Sequence, residues 1–261
     1  MSLRSPCFLT LVVGLMSAHV VSAQTFVVAP NIYTNAEGPG SAPVPIDIQN
    51  FSWTFQLVIN QNQLTGLLGH QITGIAYRHS AVMGGGYPLV TTTWSNYVIR
   101  LGESVAPSAA TTTFSNNFTA GSTQVRSGAF TVGPNAWPNN GAPGPNPWGP
   151  TLEFDTPFLY TGGHLAMLLT HPGSNNPDMG NALIDATGMS SPGRGTDFAY
   201  FAGVGFDVAT GNSSNFMPVV RFTGIPAVPE PGAGLLIGTV LAGLAVVSRW
   251  RRPEASPRAL L

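Results

Sequence analysis

The chain reads as an all-β protein: a two-sheet antiparallel sandwich of jelly-roll type, with an N-terminal signal peptide and a C-terminal single transmembrane helix. Three observations predict this. Apolar and polar residues alternate with a period of two in several segments, amphipathic helical runs are hard to find, and clusters of Gly, Pro, Asn and Ser separate the alternating runs. A barrel is the second architecture such a pattern allows.

The first element, residues 1–23, has the layout of a secretory signal peptide. Arg4 supplies a positive charge, residues 8–16 are apolar, and Val21-Ser22-Ala23 places small or modest side chains where signal peptidase reads. The apolar stretch is shorter than the roughly 20 residues of a full membrane span, which favours cleavage before Gln24 over a retained anchor. Cys7, the single cysteine, lies inside this segment, so the mature chain is expected to hold no disulfide and no thiolate-bound metal.

Residues 24–225 follow as one exported β domain of roughly 200 residues, large enough to bury a sizeable core. Its clearest strand covers residues 51–60. There Phe51, Trp53, Phe55, Leu57 and Ile59 alternate with Ser52, Thr54, Gln56, Val58 and Asn60, so one face is aromatic and aliphatic and the other mostly polar. The apolar row is assigned to the core. Further strands are expected over 71–79, 90–101, 123–132, 151–154, 164–170, 197–208 and 216–224. Residues 64–68 are compatible with a short helical turn, weakened by Gly66 and Gly69.

Two stretches read as loops. Residues 133–150 are rich in proline and glycine, and each proline lacks the N–H that a central strand needs, so this segment must cross a surface. It carries Trp137 and Trp148, the possible ligand-contact aromatics. Their indole faces suit stacking on sugar rings, and the competing reading is that they fold back and pin the loop by burial. Residues 171–195 form the second excursion. Asp178, Asp185 and the nearby Asp197, with Asn175, Asn176 and Asn181, offer oxygen ligands for calcium, yet turn-forming Asp and Asn explain the same residues without the ordered spacing of a calcium loop.

Charge is scarce and excludes one class of partner. Lysine is absent, and the domain sets five dispersed arginines against nine acids. Nucleic acid is not expected, because phosphate binding needs clustered cations. No cofactor or metal is expected either. His70, His79, His164 and His171 lack a zinc spacing, Gly203-Val204-Gly205 has no following helix or phosphate-loop lysine, and no Gly-x-Ser-x-Gly elbow occurs. Glu153 and Asp155 share a strand face, which fits a solvated edge better than a catalytic pair drawn from different elements. The domain is therefore expected not to be an enzyme.

The last element, residues 226–261, has three parts in order. Pro229-Glu230-Pro231 breaks any upstream strand, residues 232–248 are uncharged and apolar, and Arg249, Arg251 and Arg252 follow, favouring an N-terminus-outside orientation. This block resembles the C-terminal sorting signal of bacterial PEP-CTERM proteins. One departure is the extension 253–261, since members often stop soon after the basic residues. The resemblance implies recognition by exosortase after signal peptidase has acted. It also implies transient anchoring in the inner membrane and delivery to the cell envelope or extracellular matrix. A plain permanent anchor is the competing reading. The β domain is then expected to be structural or adhesive, in possible contact with extracellular polysaccharide. The rival is a carbohydrate-binding module or polysaccharide-acting enzyme.

Overall fold

The computed structural model describes residues 23–42, 46, 51–82, 85–176 and 183–227. The expected signal peptide up to residue 22, the sorting motif Pro229, Glu230 and Pro231, the apolar run and Arg249, Arg251 and Arg252 lie outside the described residues. Among the described residues no helix is long and apolar enough to cross a membrane. The described chain is all-β, with several antiparallel sheets and short 3-10 turns in place of α-helices.

Fourteen strands run in chain order: β1 (Thr25–Ala29), β2 (Gly40–Ala42), β3 (Trp53–Ile59), β4 (His70–Tyr77), β5 (Thr92–Trp94), β6 (Val98–Ser104), β7 (Thr123–Arg126), β8 (Phe130–Val132), β9 (Leu152–Tyr160), β10 (His164–His171), β11 (Ile184–Ala186), β12 (Phe198–Val204), β13 (Asn212–Ser213) and β14 (Val220–Pro226). A four-stranded sheet has the order β1-β14-β4-β9, and a six-stranded sheet has the order β13-β12-β3-β10-β6-β7. Two small ribbons, β2 with β11 and β5 with β8, complete the set. The two large sheets share one apolar cluster, in which Phe55, Leu57 and Ile59 of β3 join Ile72, Ile75 and Tyr77 of β4 and Val220 and Phe222 of β14. The arrangement is sandwich-like, and burying these period-2 rows against each other is its main stabilisation.

The expected strands recur with shifted boundaries. The segment 90–101 divides into β5 and the start of β6, 123–132 divides into β7 and β8, and 151–154 extends to the nine residues of β9. The strand expected at 51–60 starts at Trp53, so Phe51 falls outside the sheet and is 51% exposed rather than core. Its polar row has a different fate from the usual solvated face. Thr54 and Gln56 are completely buried, because the turn after β12 folds over Thr54 and the segment after β6 folds over Gln56 on the outside of the six-stranded sheet. Gln56 Nε2 donates to the Phe114 carbonyl at 3.1 Å, Asn117 Nδ2 donates to Gln56 Oε1 at 2.6 Å, and Thr54 Oγ1 donates to the Gly205 carbonyl at 2.8 Å. Thr54 and Gln56 thus each keep a partner. The helical turn expected at 64–68 is a 3-10 turn at Thr65–Leu67.

The sandwich has two unlike ends. At one end β14 finishes against β4, with Pro226 opposite His70, and β1 starts opposite it, with Thr25 paired to Gly224. Two connections here are short, with residues 60–69 joining β3 to β4 and residues 161–163 joining β9 to β10, while the longer 105–122 leaves β6 at this end and runs back over the outside of the six-stranded sheet. The far end, beyond Tyr77 and His171, gathers the longer excursions, including the proline-rich 133–150 segment.

Candidate functional site

The far end is organised by a buried ion pair that local sequence patterns do not announce. Arg78 continues directly from β4, and Asp185 is the middle residue of β11; they are 1% and 0% exposed. Arg78 Nε donates to Asp185 Oδ2 at 2.7 Å and Nη2 donates to the carbonyl of Tyr33 at 2.8 Å and to that of Ala36. The Gly38 N–H donates to Asp185 Oδ1 at 2.7 Å. Only glycine fits at 38, since an added Cβ would lie 2.1 Å from the Ala186 carbonyl oxygen. Glu37 is close by, accepting from the Ala81 N–H through Oε1 at 2.6 Å. Burial pushes the Asp185 carboxyl up to about 6; Arg78 opposes this and Glu37 adds to it. The pair ties β4, the β2–β11 ribbon and the loop before β2 into one seam.

Trp148 lies on this seam and carries two cations. The Arg78 guanidinium carbon is 4.9 Å from the indole centroid and that of Arg221 is 5.0 Å away. Arg221, from β14, is also 4.7 Å from the Phe26 ring of β1. Trp148 is half-buried, and guanidinium groups occupy the face that would otherwise stack on a sugar.

Trp137 takes the packing alternative. It is fully buried, with its ring centroid 6.1 Å from Tyr87 and 6.4 Å from both Trp94 and Phe130. Its backbone exchanges two hydrogen bonds with Tyr87, at 2.7 and 2.9 Å, and Gly149 permits the loop to return against the indole, where a Cβ would be 2.1 Å from Cδ1. A ligand therefore has no access to it, which corrects its assignment as a contact aromatic. The proline-rich segment crosses a surface as expected, but it is stapled down at Trp137, at Asn146, whose Nδ2 donates to the His79 carbonyl at 3.1 Å, and at Trp148.

The remaining candidates separate. His70 contacts Thr25 and the Leu68 carbonyl, His79 the Ser80 carbonyl, and His164 accepts from the Gln61 N–H, so the imidazoles do not converge. Fully buried His171 packs parallel to Tyr97 at 5.5 Å and edge-on to Phe55 at 6.1 Å; burial lowers its pKa to about 3. Of the proposed calcium ligands, Asp185 is committed to Arg78, Asp197 Oδ1 accepts from Asn62 Nδ2 at 2.8 Å, and Asp178 and Asn181 lie outside the described residues. Among the described residues no group of three or more His, Cys, Asp or Glu side chains is placed to hold a metal ion. Asp155 accepts from the Ser127 N–H at 2.8 Å and Glu153 sits opposite Gly74 on the exposed β9 edge.

Sequence reasoning missed Arg78, Arg221 and Phe26, and it read Asp185 as an oxygen ligand or turn residue rather than as the partner of Arg78. The alternation Val220-Arg221-Phe222 does put Arg221 on the outer face, but its aromatic neighbours come from distant segments. No family model matches the chain, and neither a curated protein nor a solved structure matches it.

Proposed function

We propose that the chain is an exported cell-envelope or extracellular-matrix protein, sorted by an exosortase that reads its C-terminal signal, with a structural or adhesive ectodomain. The observation that carries this reading is the order of the tail: Pro229-Glu230-Pro231, the uncharged run 232–248, then Arg249, Arg251 and Arg252. The extent of the fold is consistent with it. β1 begins at Thr25, just after the expected cleavage before Gln24, and β14 ends at Pro226, just before the motif. Thr25 and Gly224 are paired, so a domain tethered through its last strand turns its far end, with the longer loops, away from the tether.

The ectodomain is proposed to be a jelly-roll-type sandwich. In support, the first strand lies beside the last in one sheet, and the chain passes repeatedly from sheet to sheet, as nested Greek keys require. β12 is then an extra strand added beside β3.

The test separates sorting from anchoring at Glu230. Insertion depends on apolar length and flanking charge, so Glu230→Ala leaves anchoring intact under either reading. In a host that contains exosortase, the wild-type chain is expected to lose its tail and leave the membrane, whereas Glu230→Ala stays uncleaved, as does the wild type in an exosortase-deficient host. Normal release in both of those cases reduces the tail to a permanent anchor.

A further inference from the structure

We propose that Arg221, held against Phe26 and Trp148 on the outer face of the four-stranded sheet, anchors a binding site for a carboxylate-bearing polysaccharide, a polymer of uronic acid. The inference rests on the reading of the domain as a matrix-facing module and names its ligand class. Val220 and Phe222 point into the shared core, so alternation turns Arg221 outward, on the same side as Phe26.

The arginines of the domain make the case by contrast. Arg78 is neutralised by Asp185, Arg126 donates to the carbonyls of Tyr97, Ser127, Gly128 and Ala129, Arg100 pairs with Asp207 at 3.5 Å, and Arg194 has no ion pair among the described residues but is exposed to water. Arg221 is half-buried, yet it forms no ion pair or hydrogen bond among the described residues, and its Nε is buried without a partner. Burial lowers its pKa, with no carboxylate acting in the opposite sense. A partly desolvated cation without an anion is an incomplete arrangement, and an incoming carboxylate would complete it.

The surroundings select a planar anion on a sugar. A guanidinium fork matches a carboxylate through two parallel hydrogen bonds, and stacking on rings limits the rotamer freedom lost on binding. Phe26 has Arg221 over its ring but is 52% exposed, so its uncovered part adds apolar surface on which a pyranose can rest beside the guanidinium. Gln71 of β4, partly exposed opposite Ile225, can bond sugar hydroxyls further along the sheet, and Thr73, whose Oγ1 donates to the Thr223 carbonyl at 3.3 Å, can still accept from them. Glu153 also belongs to this face but stands opposite Gly74, across β4 from β14, and makes no ion pair with Arg221. The excess of acids elsewhere in the domain does not exclude an anionic ligand, because at physiological salt charges are screened beyond about 8 Å.

The experiment is a binding titration of the full chain in detergent against polygalacturonate, with dextran as the neutral comparison. Wild type is expected to bind polygalacturonate and not dextran. Arg221→Gln is expected to lose about tenfold or more in affinity and Arg221→Lys to recover only part, since lysine lacks the fork. Phe26→Ala, at an exposed ring, is expected to weaken binding without moving the thermal midpoint, and it decides the matter if Arg221→Gln does not fold. Equal binding of both polymers, no binding by wild type, or unchanged binding in both Arg221→Gln and Phe26→Ala overturns the proposal. Such failure leaves the sorting reading untouched, because that reading is measured by tail cleavage.

Discussion

His171 and Asp185 are both fully buried, but they are accommodated in opposite ways. His171 ends β10 inside the inter-sheet core, among the rings of Phe55 and Tyr97, and no carboxylate contributes to its shift. Asp185 sits in the far-end seam with a guanidinium, and a backbone N–H, on its oxygens. The core keeps its titratable group neutral simply by desolvating it. The seam keeps a charge-capable group by surrounding it with donors, and burial still lifts the carboxyl to about 6. The two groups consequently couple folding to protons with opposite signs.

The largest expected effect belongs to His171. An unfolded histidine takes up a proton below about 6.5, whereas His171 in the fold resists protonation down to about 3. Over that interval the unfolded state binds more protons, so the stabilisation is full above pH 6.5 and is lost as pH falls. The loss is on the order of 5 kcal/mol by pH 3, a large part of a domain's usual stability. His171→Phe preserves an aromatic ring beside Tyr97 and removes the titration. Urea unfolding between pH 7 and about pH 3 should show the variant losing much less stability than wild type. Parallel pH profiles would mean that His171 is protonated in the fold.

The seam is next. Arg78→Met strands the Asp185 carboxylate in a desolvated site and is expected to cost about 3–5 kcal/mol, as removal of one member of a buried pair does. Replacing both groups, Arg78→Met with Asp185→Leu, removes the uncompensated charge and should recover much of that loss. The contrast with His171 is thereby sharpened, since the core group needs no partner. A double variant as unstable as Arg78→Met alone would show that the bonds from Arg78 to the Tyr33 and Ala36 carbonyls, rather than its charge pairing, hold the seam together.

Much of the fold, and little of the seam, was legible in the sequence. Period-2 alternation located β3, β4 and β10 because each has its own apolar row, and proline content located the surface-crossing segment. The same alternation misplaced Phe51, since it does not say where pairing starts. It was silent on the cover that buries Thr54 and Gln56, because Gly205 and Val208, and Phe114 and Asn117, come from different parts of the chain. β11 falls inside the excursion expected over 171–195, because the three residues Ile184-Asp185-Ala186 are too few to establish a period-2 row. Asp185 becomes intelligible only with Arg78, which is 107 positions away. Arg221 falls within the strand expected over 216–224, but Phe26 belongs to β1, a short strand adjoining the expected signal peptide and absent from the expected set.

The smallest effect tests the sign of the seam directly. The unfolded Asp185 carboxyl titrates near 3.8 and the folded one near 6, so between these values the folded state binds more protons than the unfolded state. Its contribution therefore favours folding most below pH 3.8 and declines as pH rises to about 6, by on the order of 3 kcal/mol. This slope opposes that of His171 in the overlapping window, so wild-type stability should be nearly level there and fall more steeply below pH 4, where Asp185 no longer offsets the imidazole. Asp185→Asn keeps the side-chain shape and an acceptor for Gly38 while removing the titration. Its stability should consequently fall with acid from pH 6 onward, exposing the His171 slope that wild type conceals. If the variant and the wild type instead fall in parallel between pH 6 and pH 4, with the wild type falling more steeply below pH 4, the Arg78 ion pair outweighs burial and holds the folded carboxyl below 3.8.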